Sequence, residues 1–539
     1  MKNSNRFWLF LGVTSFILVL YGLSFQSMGV DSDFFGVLQD IRLTKSWHSF
    51  WKSGIATTYY PLNEIQTDTT FFTFYRPLVQ HLHALESYLF GDWWFGYNLG
   101  AIFFFSMTTG ILALIFSYFY ATYNAIILAF LWATHPALSP SLLSVTVLLT
   151  AAYFFIALSA LCYIWYFQKK GFYFYLSSLF CYAAGALSYD LLIIAPMPLF
   201  FFLLFFYRAR LYEIIPYFCV TSFCIGLRLY MMGGLSHTKN AFSLISFLKI
   251  SIDNSIQTLR PFWGLQQSST MIALIVTCIF GCWLVFNVIQ NKKDRLFITW
   301  LLFSFGIGSW GIIIGNSSSR YCTLGLPFFI LLLYWLMHQS FSKKTATCFL
   351  LFLISVGGIR TYNNFSLREQ YTHARDTAMY ELLNTYPSEQ YLFLTAPHFC
   401  NHEIFLLSSG LMQGLQLFSK NNNLRVYHII DTPLCTMEYP SKGIIETTAI
   451  KNGYRLITTD PQKIWFMMPH HIQKIESSMG TILVNKQISS WQATDISIIF
   501  NKKYRTKEWL NKTNIFSWNP HTWKFVPLQK DHLLKKGKR

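Results

Sequence analysis

The chain has 539 residues and a formal net charge of +18, yet only 12% of it is charged, against 53% hydrophobic and 19% aromatic. Soluble domains carry about a quarter charged residues, so this balance excludes a chain that meets water over most of its length. Its basic residues gather in short runs at the ends of apolar segments, an arrangement that orients membrane helices rather than tracking a phosphate backbone, so a nucleic-acid partner is excluded too.

In chain order, a short basic start leads into an apolar segment over Phe7–Met28. No small-residue cleavage site follows, so the segment reads as a retained first helix with its N-terminal end in the cytoplasm. A polar loop, 29–94, then lies outside. Further apolar stretches fall at 95–119, 124–138, 143–167, 171–187, 191–207, 212–232, 271–290, 296–315, 321–340 and 345–359. The reading is therefore a polytopic α-helical membrane protein with about eleven transmembrane helices. Lys169-Lys170, Arg208-Ala209-Arg210, the Lys292–Arg295 run and Lys343-Lys344 all fall on the cytoplasmic side of that alternation, as positive residues should.

Residues 1–360 thus form a membrane domain that includes the outer loop 29–94. Residues 361–539, polar and mixed in charge, form an extracytoplasmic soluble α/β domain. Within it Tyr391–Thr395, Leu424–Asp431, Gly453–Thr459, Ile464–Met468 and Thr494–Asn501 read as strands, and His402–Lys420 as a helix. Cys400 and Cys435 are its only cysteines, and they either pair or stay as two loop thiols. The other eight cysteines lie in or beside apolar spans, where packed thiols are expected. Cys278 and Cys282 share a helix face without a His or acid beside them, so no metal site is assigned.

The residues able to carry chemistry gather on the outer side. Asp31 and Asp33 stand just past the first span, where a carboxylate would meet a lipid headgroup as a general base; a turn role is the bland alternative. Arg76 follows Tyr75 and precedes Pro77, placed either to grip a phosphate bidentately or to snorkel to the interface. His83 and Glu86, three residues apart, are spaced to pair on a helix surface. His135-Pro136 ends a span at the outer face, as an interfacial residue or part of a pocket. Asp190 lies between two apolar runs, and an acid at membrane depth is a functional hypothesis by default. Arg320, beside Tyr321, is either its charge partner or a second phosphate clamp.

These landmarks, in this order, resemble the GT-C glycosyltransferases, and most closely the membrane half of the protein O-mannosyltransferase-like families, including those with tetratricopeptide tails. Asp31-Ser32-Asp33 resembles the acidic pair of the first outer loop. Tyr75-Arg76-Pro77-Leu78 with Phe95-Gly96-Tyr97-Asn98-Leu99 is the most specific match, Leu131–Pro136 resembles the His-Pro loop, and Ser188-Tyr189-Asp190 and Arg320-Tyr321 resemble the two later motifs. The likeness covers 1–340 and gives no account of the tail.

The resemblance implies an inverting transfer of a sugar, mannose among the candidates, from a polyprenyl-phosphate-linked donor to a protein or glycan acceptor. It implies an acid of the first loop as base, with Arg76, Arg320 and Tyr75 at the donor phosphate. His135, Asp190 and Tyr321 would shape the pocket, and no cofactor or metal is implied. The compact loops point to a bacterial inner membrane. This chain departs from the family pattern in three places. Ser32 separates the acids, no acid follows His135-Pro136 in Ala137–Ser141, and Tyr189-Asp190 stands where Lys-Glu is usual. A catalytically weakened scaffold of the same fold is therefore the runner-up. A transporter comes third, because transporters spread their charges through both leaflets.

Overall fold

The computed structural model describes residues 3–24, 34–35, 38, 55–57, 73–138, 142, 149–168, 171–232, 270–308, 324–400, 404–405, 411–421, 423–434, 445–458, 466–467, 473–476, 479–489, 492–519, 522 and 524–534. The chain divides into two units. One comprises Met1–Ser27, Ser46–Ala56 and Phe74–Leu367; the other comprises Met28–Lys45, Thr57–Thr73 and Arg368–Arg539.

The first unit is helical. Its helices are α1 (Asn3–Ser24), α2 (Pro77–Phe90), α3 (Trp94–Ser117), α4 (Thr122–Ala133), α5 (Leu149–Phe167), α6 (Phe172–Ser188), α7 (Pro196–Phe206), α8 (Ile215–Met232), α9 (Thr270–Gln290), α10 (Arg295–Gly308), α11 (Leu326–Ser340) and the first part of α12 (Lys343–Thr385). Every apolar stretch read from the sequence overlaps one of them. Among the described residues five segments, Asn5–Ser24, Trp94–Ser117, Leu149–Phe167, Arg208–Tyr230 and Lys343–Thr385, are long and apolar enough to cross a membrane. Large apolar side chains also cover their outside, Leu23 being 66% and Phe223 64% exposed. A surface of that kind is stable against lipid, not water. The protein is an integral membrane protein.

Prolines set several helix starts. Pro77, Pro196 and Pro327 sit in the first turn, where a missing N–H costs nothing. Helix α1 packs on α3, α3 on α5, α5 on α6, and α6 on α8, while α10 packs on α7 and α11. Between α5, α6, α8 and the 3-10 segment Arg208–Ile214 that leads into α8, the contacts are polar and paired. Glu213 accepts hydrogen bonds from Tyr163 at 2.6 Å and from Arg210 at 2.6 Å, and Ser178 shares one with Tyr217 at 2.5 Å. Buried polar groups satisfied in this way fix helix register more narrowly than apolar packing alone.

One boundary differs from the sequence reading. The last span is expected at 345–359, but α12 runs unbroken for 43 residues. At 1.5 Å per residue it is about 65 Å long, roughly twice the hydrocarbon core of a bilayer. The chain from Arg360 to Thr385 holds no Pro or Gly, so nothing local ends the helix where the apolar residues stop.

The second unit is built on two sheets. The paired short strands β1 (Ile55–Thr57) and β2 (Thr73–Tyr75) precede them in the chain. Strand β3 (Gln390–Cys400) pairs antiparallel with β4 (Ile404–Phe405) and parallel with β5 (Arg425–Leu434), and α13 (Leu411–Ser419) forms the connection, so this part is α/β. The second sheet contains β6 (Ile445–Ile450), β7 (Gly453–Thr458), β8 (Phe466–Met467), β9 (Lys474–Glu476), β10 (Gly480–Ser489) and β11 (Gln492–Phe500). It runs in the order β6-β7-β11-β10-β9, antiparallel throughout, with β8 added on β11. After α14 (Lys507–Lys512) the chain returns to the first sheet. There β12 (Thr513–Asn519) pairs parallel with β3 and antiparallel with β13 (Lys524–Pro527), before α15 (Asp531–Leu534).

Leu392, Leu394 and Ile515 from one sheet and Leu456, Ile482, Ile496 and Ile498 from the other form a single core. Along β11 the inward Ile496, Ile498 and Phe500 fall at every second residue, the period that turns one face of a strand to the core.

Candidate functional site

The site is built where β2 ends. Its last residue, Tyr75, is followed by Arg76, the N-cap residue of α2, and Pro77 then opens the helix. Arg76 is 8% exposed and its guanidinium carbon lies 4.6 Å from the centroid of the Tyr189 ring. A planar cation laid on an aromatic face keeps its charge with little water around it.

Tyr189 is held from the other side. It ends α6 by turning extended, its amide donating to Gly185 O at 3.0 Å, and its side chain packs among Leu149, Ala152, Tyr153 and Leu192. Asp190 then begins a 3-10 turn over Asp190–Ile194. Two stretches far apart in sequence, Tyr75-Arg76-Pro77 and Ser188-Tyr189-Asp190, therefore meet. The side chains of Tyr75 and Asp190, and all of Asp31, Asp33, Arg320 and Tyr321, lie outside the described residues.

The remainder of α2 anchors this arrangement. The His81 Nδ1–H donates to Pro77 O at 2.6 Å, tightening the first turns. His83 Nδ1 lies 2.9 Å from Glu86 Oε2, with His83 fully buried and Glu86 7% exposed. The spacing suggests a surface pair; the structure makes it an internal one. Gly100 of α3 permits this, because a Cβ there would collide with the Glu86 carboxylate. The opposite face of α2 presents Leu85, Tyr88 and Leu89 outward.

His135 is held by a separate set of contacts. It is fully buried, and its Nδ1 accepts a hydrogen bond from Ala137 N at 3.1 Å, which in the neutral ring puts the proton on Nε2. The 3-10 turn Pro136–Leu138 follows directly. Tyr21 of α1 donates to Ala133 O at 2.6 Å, and Thr361 of α12 donates to Thr134 O at 3.1 Å, so three helices meet at this loop. Trp132 stacks on Phe105 with ring centroids 5.0 Å apart.

In the second unit, the stretch that follows Asp33 is also anchored. Phe34, Phe35 and Leu38 are fully buried. The Arg375 guanidinium lies 4.8 Å from the Phe35 ring centroid and is paired with Asp376 at 2.7 Å, and Phe418 of α13 meets Phe35 edge-to-face with centroids 5.7 Å apart. Sequence reasoning missed Arg375, because a polar tail gives no cue that one arginine among several is buried. It also passed over Tyr189 as a platform, although an aromatic beside an intramembrane acid was the available signal. Among the described residues no group of three or more His, Cys, Asp or Glu is arranged to hold a metal ion.

No family model matches the sequence, and no curated protein does. Among solved structures the chain is similar to the oligosaccharyltransferase of Archaeoglobus fulgidus in its apo form, with a TM-score of 0.44 and 11% identity over 78% of this chain and 65% of that one. It is similar to the same protein tethered to an acceptor peptide containing the NVT sequon, with a TM-score of 0.39, 11% identity, and 78% and 64% covered. It is also similar to ArnT from Cupriavidus metallidurans bound to undecaprenyl phosphate, with a TM-score of 0.42, 9% identity, and 80% and 94% covered. The chain thus spans 65% of the length of the apo oligosaccharyltransferase.

Proposed function

We propose that this integral membrane protein is a GT-C-type glycosyltransferase that moves a sugar from a polyprenyl-phosphate carrier to a protein or glycan acceptor, with inversion at the anomeric carbon. The observation that carries the reading is the buried Arg76 guanidinium laid on Tyr189 at the head of the Asp190 turn. It joins two of the motifs through which the sequence resembles that superfamily. In this reading a carboxylate of the first loop, Asp33 or Asp31, takes the proton of the acceptor hydroxyl. The acceptor oxygen bonds to the anomeric carbon as the bond to the phosphate oxygen breaks, and the polyprenyl phosphate leaves. Arg76, with Arg320 and Tyr75, stabilises the charge that develops on that phosphate. His135, Asp190 and Tyr321 shape the pocket. Residues 1–360 carry the chemistry, on the extracytoplasmic face of a bacterial inner membrane, with 361–539 on the same side. Mannose is the sugar the motif resemblance favours.

The test is transfer from a lipid-linked sugar by the wild type and by Asp31→Asn, Asp33→Asn and the double variant. Loss of at least a hundredfold in one single variant and in the double is expected, since general-base catalysis is worth about 10²–10⁴. Unchanged transfer in all three sinks the reading. A catalytically weakened scaffold is the second reading, favoured by Tyr189 standing where a lysine is usual and by the absence of an acid in Ala137–Ser141. A wild type that binds the polyprenyl phosphate and transfers nothing would establish it.

A further inference from the structure

Helix α8 contains one charged residue, Arg228, and it is only 3% exposed. An ionised group in a membrane-spanning helix is expensive and marks function by default. Its position follows from the packing of α8 on α6. Tyr217, Thr221, Cys224 and Arg228 are spaced i, i+4, i+7 and i+11, so they share one helix face. The first two meet α6: Tyr217 Oη shares a hydrogen bond with Ser178 Oγ at 2.5 Å, and Thr221 Oγ1 shares one with Tyr182 Oη at 2.6 Å. Both pairs are separated by 39 residues, so the two helices run side by side in the same direction. Carrying that offset forward sets Arg228 level with Tyr189, the ring on which Arg76 lies. The Tyr182 hydroxyl also donates to Ile193 O at 2.9 Å, and α8 packs against the Asp190–Ile194 turn, so the same face of α8 borders that turn.

We infer that Arg228 is a second cationic residue of the site formed by Arg76 and Tyr189, and that it binds the phosphate of the polyprenyl carrier. This rests on the transferase reading and extends it to a residue outside the motifs. The chemistry is that of a guanidinium fork meeting phosphate oxygens, which a compact ammonium matches less well. A second guanidinium approaching from α8 would give the phosphate donors on the side that Arg76 does not occupy.

The experiment measures binding of three probes to the full-length protein in lipid nanodiscs: undecaprenyl phosphate, the neutral polyprenol of the same length, and inorganic phosphate. Arg228→Gln is expected to weaken undecaprenyl phosphate about ten- to a hundredfold, the worth of a hydrogen bond to a charged group, and to leave polyprenol within about twofold. Inorganic phosphate is expected to bind far more weakly than the lipid; equal affinity would make the ligand a free phosphate and overturn the lipid assignment. If Arg228→Gln weakens both lipids alike, or neither, Arg228 only supports the fold and the inference is wrong. Should that variant not fold, Arg228→Lys decides. It keeps the charge and loses the fork, so undecaprenyl phosphate should weaken severalfold while polyprenol does not, and equal affinities for wild type and Arg228→Lys overturn the proposal. A wild type that neither binds undecaprenyl phosphate nor transfers sugar removes the transferase reading itself. Normal transfer and lipid binding by Arg228→Gln remove only the role of Arg228.

Discussion

The guanidinium carbon of Arg76 lies 4.6 Å from the centre of the Tyr189 ring, and both residues are withdrawn from solvent. The stack joins the cap of α2 to the end of α6, so any movement of the Tyr189 turn moves the arginine with it. A desolvated cation–π contact is worth about 2 kcal/mol, somewhat more than a tenfold change in an equilibrium constant.

Replacing Tyr189 separates its ring from its hydroxyl. Tyr189→Phe keeps the stack and should hold undecaprenyl phosphate binding within about threefold. Tyr189→Leu removes the π face and should weaken it about tenfold or more. A titration of both variants in nanodiscs decides, and equal losses would mean that the hydroxyl matters rather than the face.

The His83–Glu86 pair should behave as an internal contact. Glu86→Leu leaves the imidazole without its carboxylate inside the protein and should cost about 1–3 kcal/mol of stability. Gly100→Ala should reproduce much of that loss, because its methyl would displace the same carboxylate. Thermal unfolding in detergent measures both, and a Gly100→Ala protein as stable as wild type would contradict the arrangement.

The two glycines of α12 differ in what they face. A Cβ on Gly357 would sit 2.6 Å from Thr134 O, whereas one on Gly358 would meet only the Thr134 methyl at 3.9 Å. Gly357→Ala should therefore destabilise by about 1–3 kcal/mol through overpacking. Gly358→Ala should be neutral or slightly stabilising, since alanine favours a helix. Paired melting curves test the contrast, which vanishes if α12 does not approach the His135 loop this closely.

Acid sensitivity of the second unit should pass through Asp495. Hydrogen bonds from Arg455, whose Nη2 is 2.5 Å from Asp495 Oδ2, hold this carboxyl below its ordinary range. A carboxyl depressed on folding stabilises the folded state fully above its unfolded value, about 3.9, and loses that contribution as the pH falls through the lower folded value. Asp495→Asn should therefore lower stability at neutral pH and flatten the acid side of the stability profile below about pH 4. Glu476, lowered by its hydrogen bond to Lys474, adds in the same direction, but both side chains are largely exposed and water screens the pair. Unfolding midpoints across that pH range, wild type against Asp495→Asn, measure the effect; parallel profiles would rule it out.

What the sequence determined by itself was everything a hydrocarbon solvent imposes locally. A bilayer accepts only backbone that satisfies its own hydrogen bonds, so each apolar run had to be a helix, and the described residues of these runs are mainly helical. Strands with clear alternation, such as β7 and β11, were legible for the same reason of period. The β10 run Gly480–Ser489 and the β12 run Thr513–Asn519 were not read as strands, since polar residues interrupt their alternation and their partners lie elsewhere in the chain. The continuation of α12 to Thr385 was hidden because helix length there no longer follows hydropathy.

The motifs Tyr75-Arg76-Pro77 and Ser188-Tyr189-Asp190 could each be seen, but not that one would lie on the other. Only tertiary structure decided that Tyr189 is the platform for Arg76, that His83 and Glu86 turn inward, and that Phe35 packs beneath Arg375. Periodicity tells a residue which face of its own element it occupies. Which distant element meets that face depends on how whole surfaces pack, and that information is spread over many side chains rather than held in any one stretch.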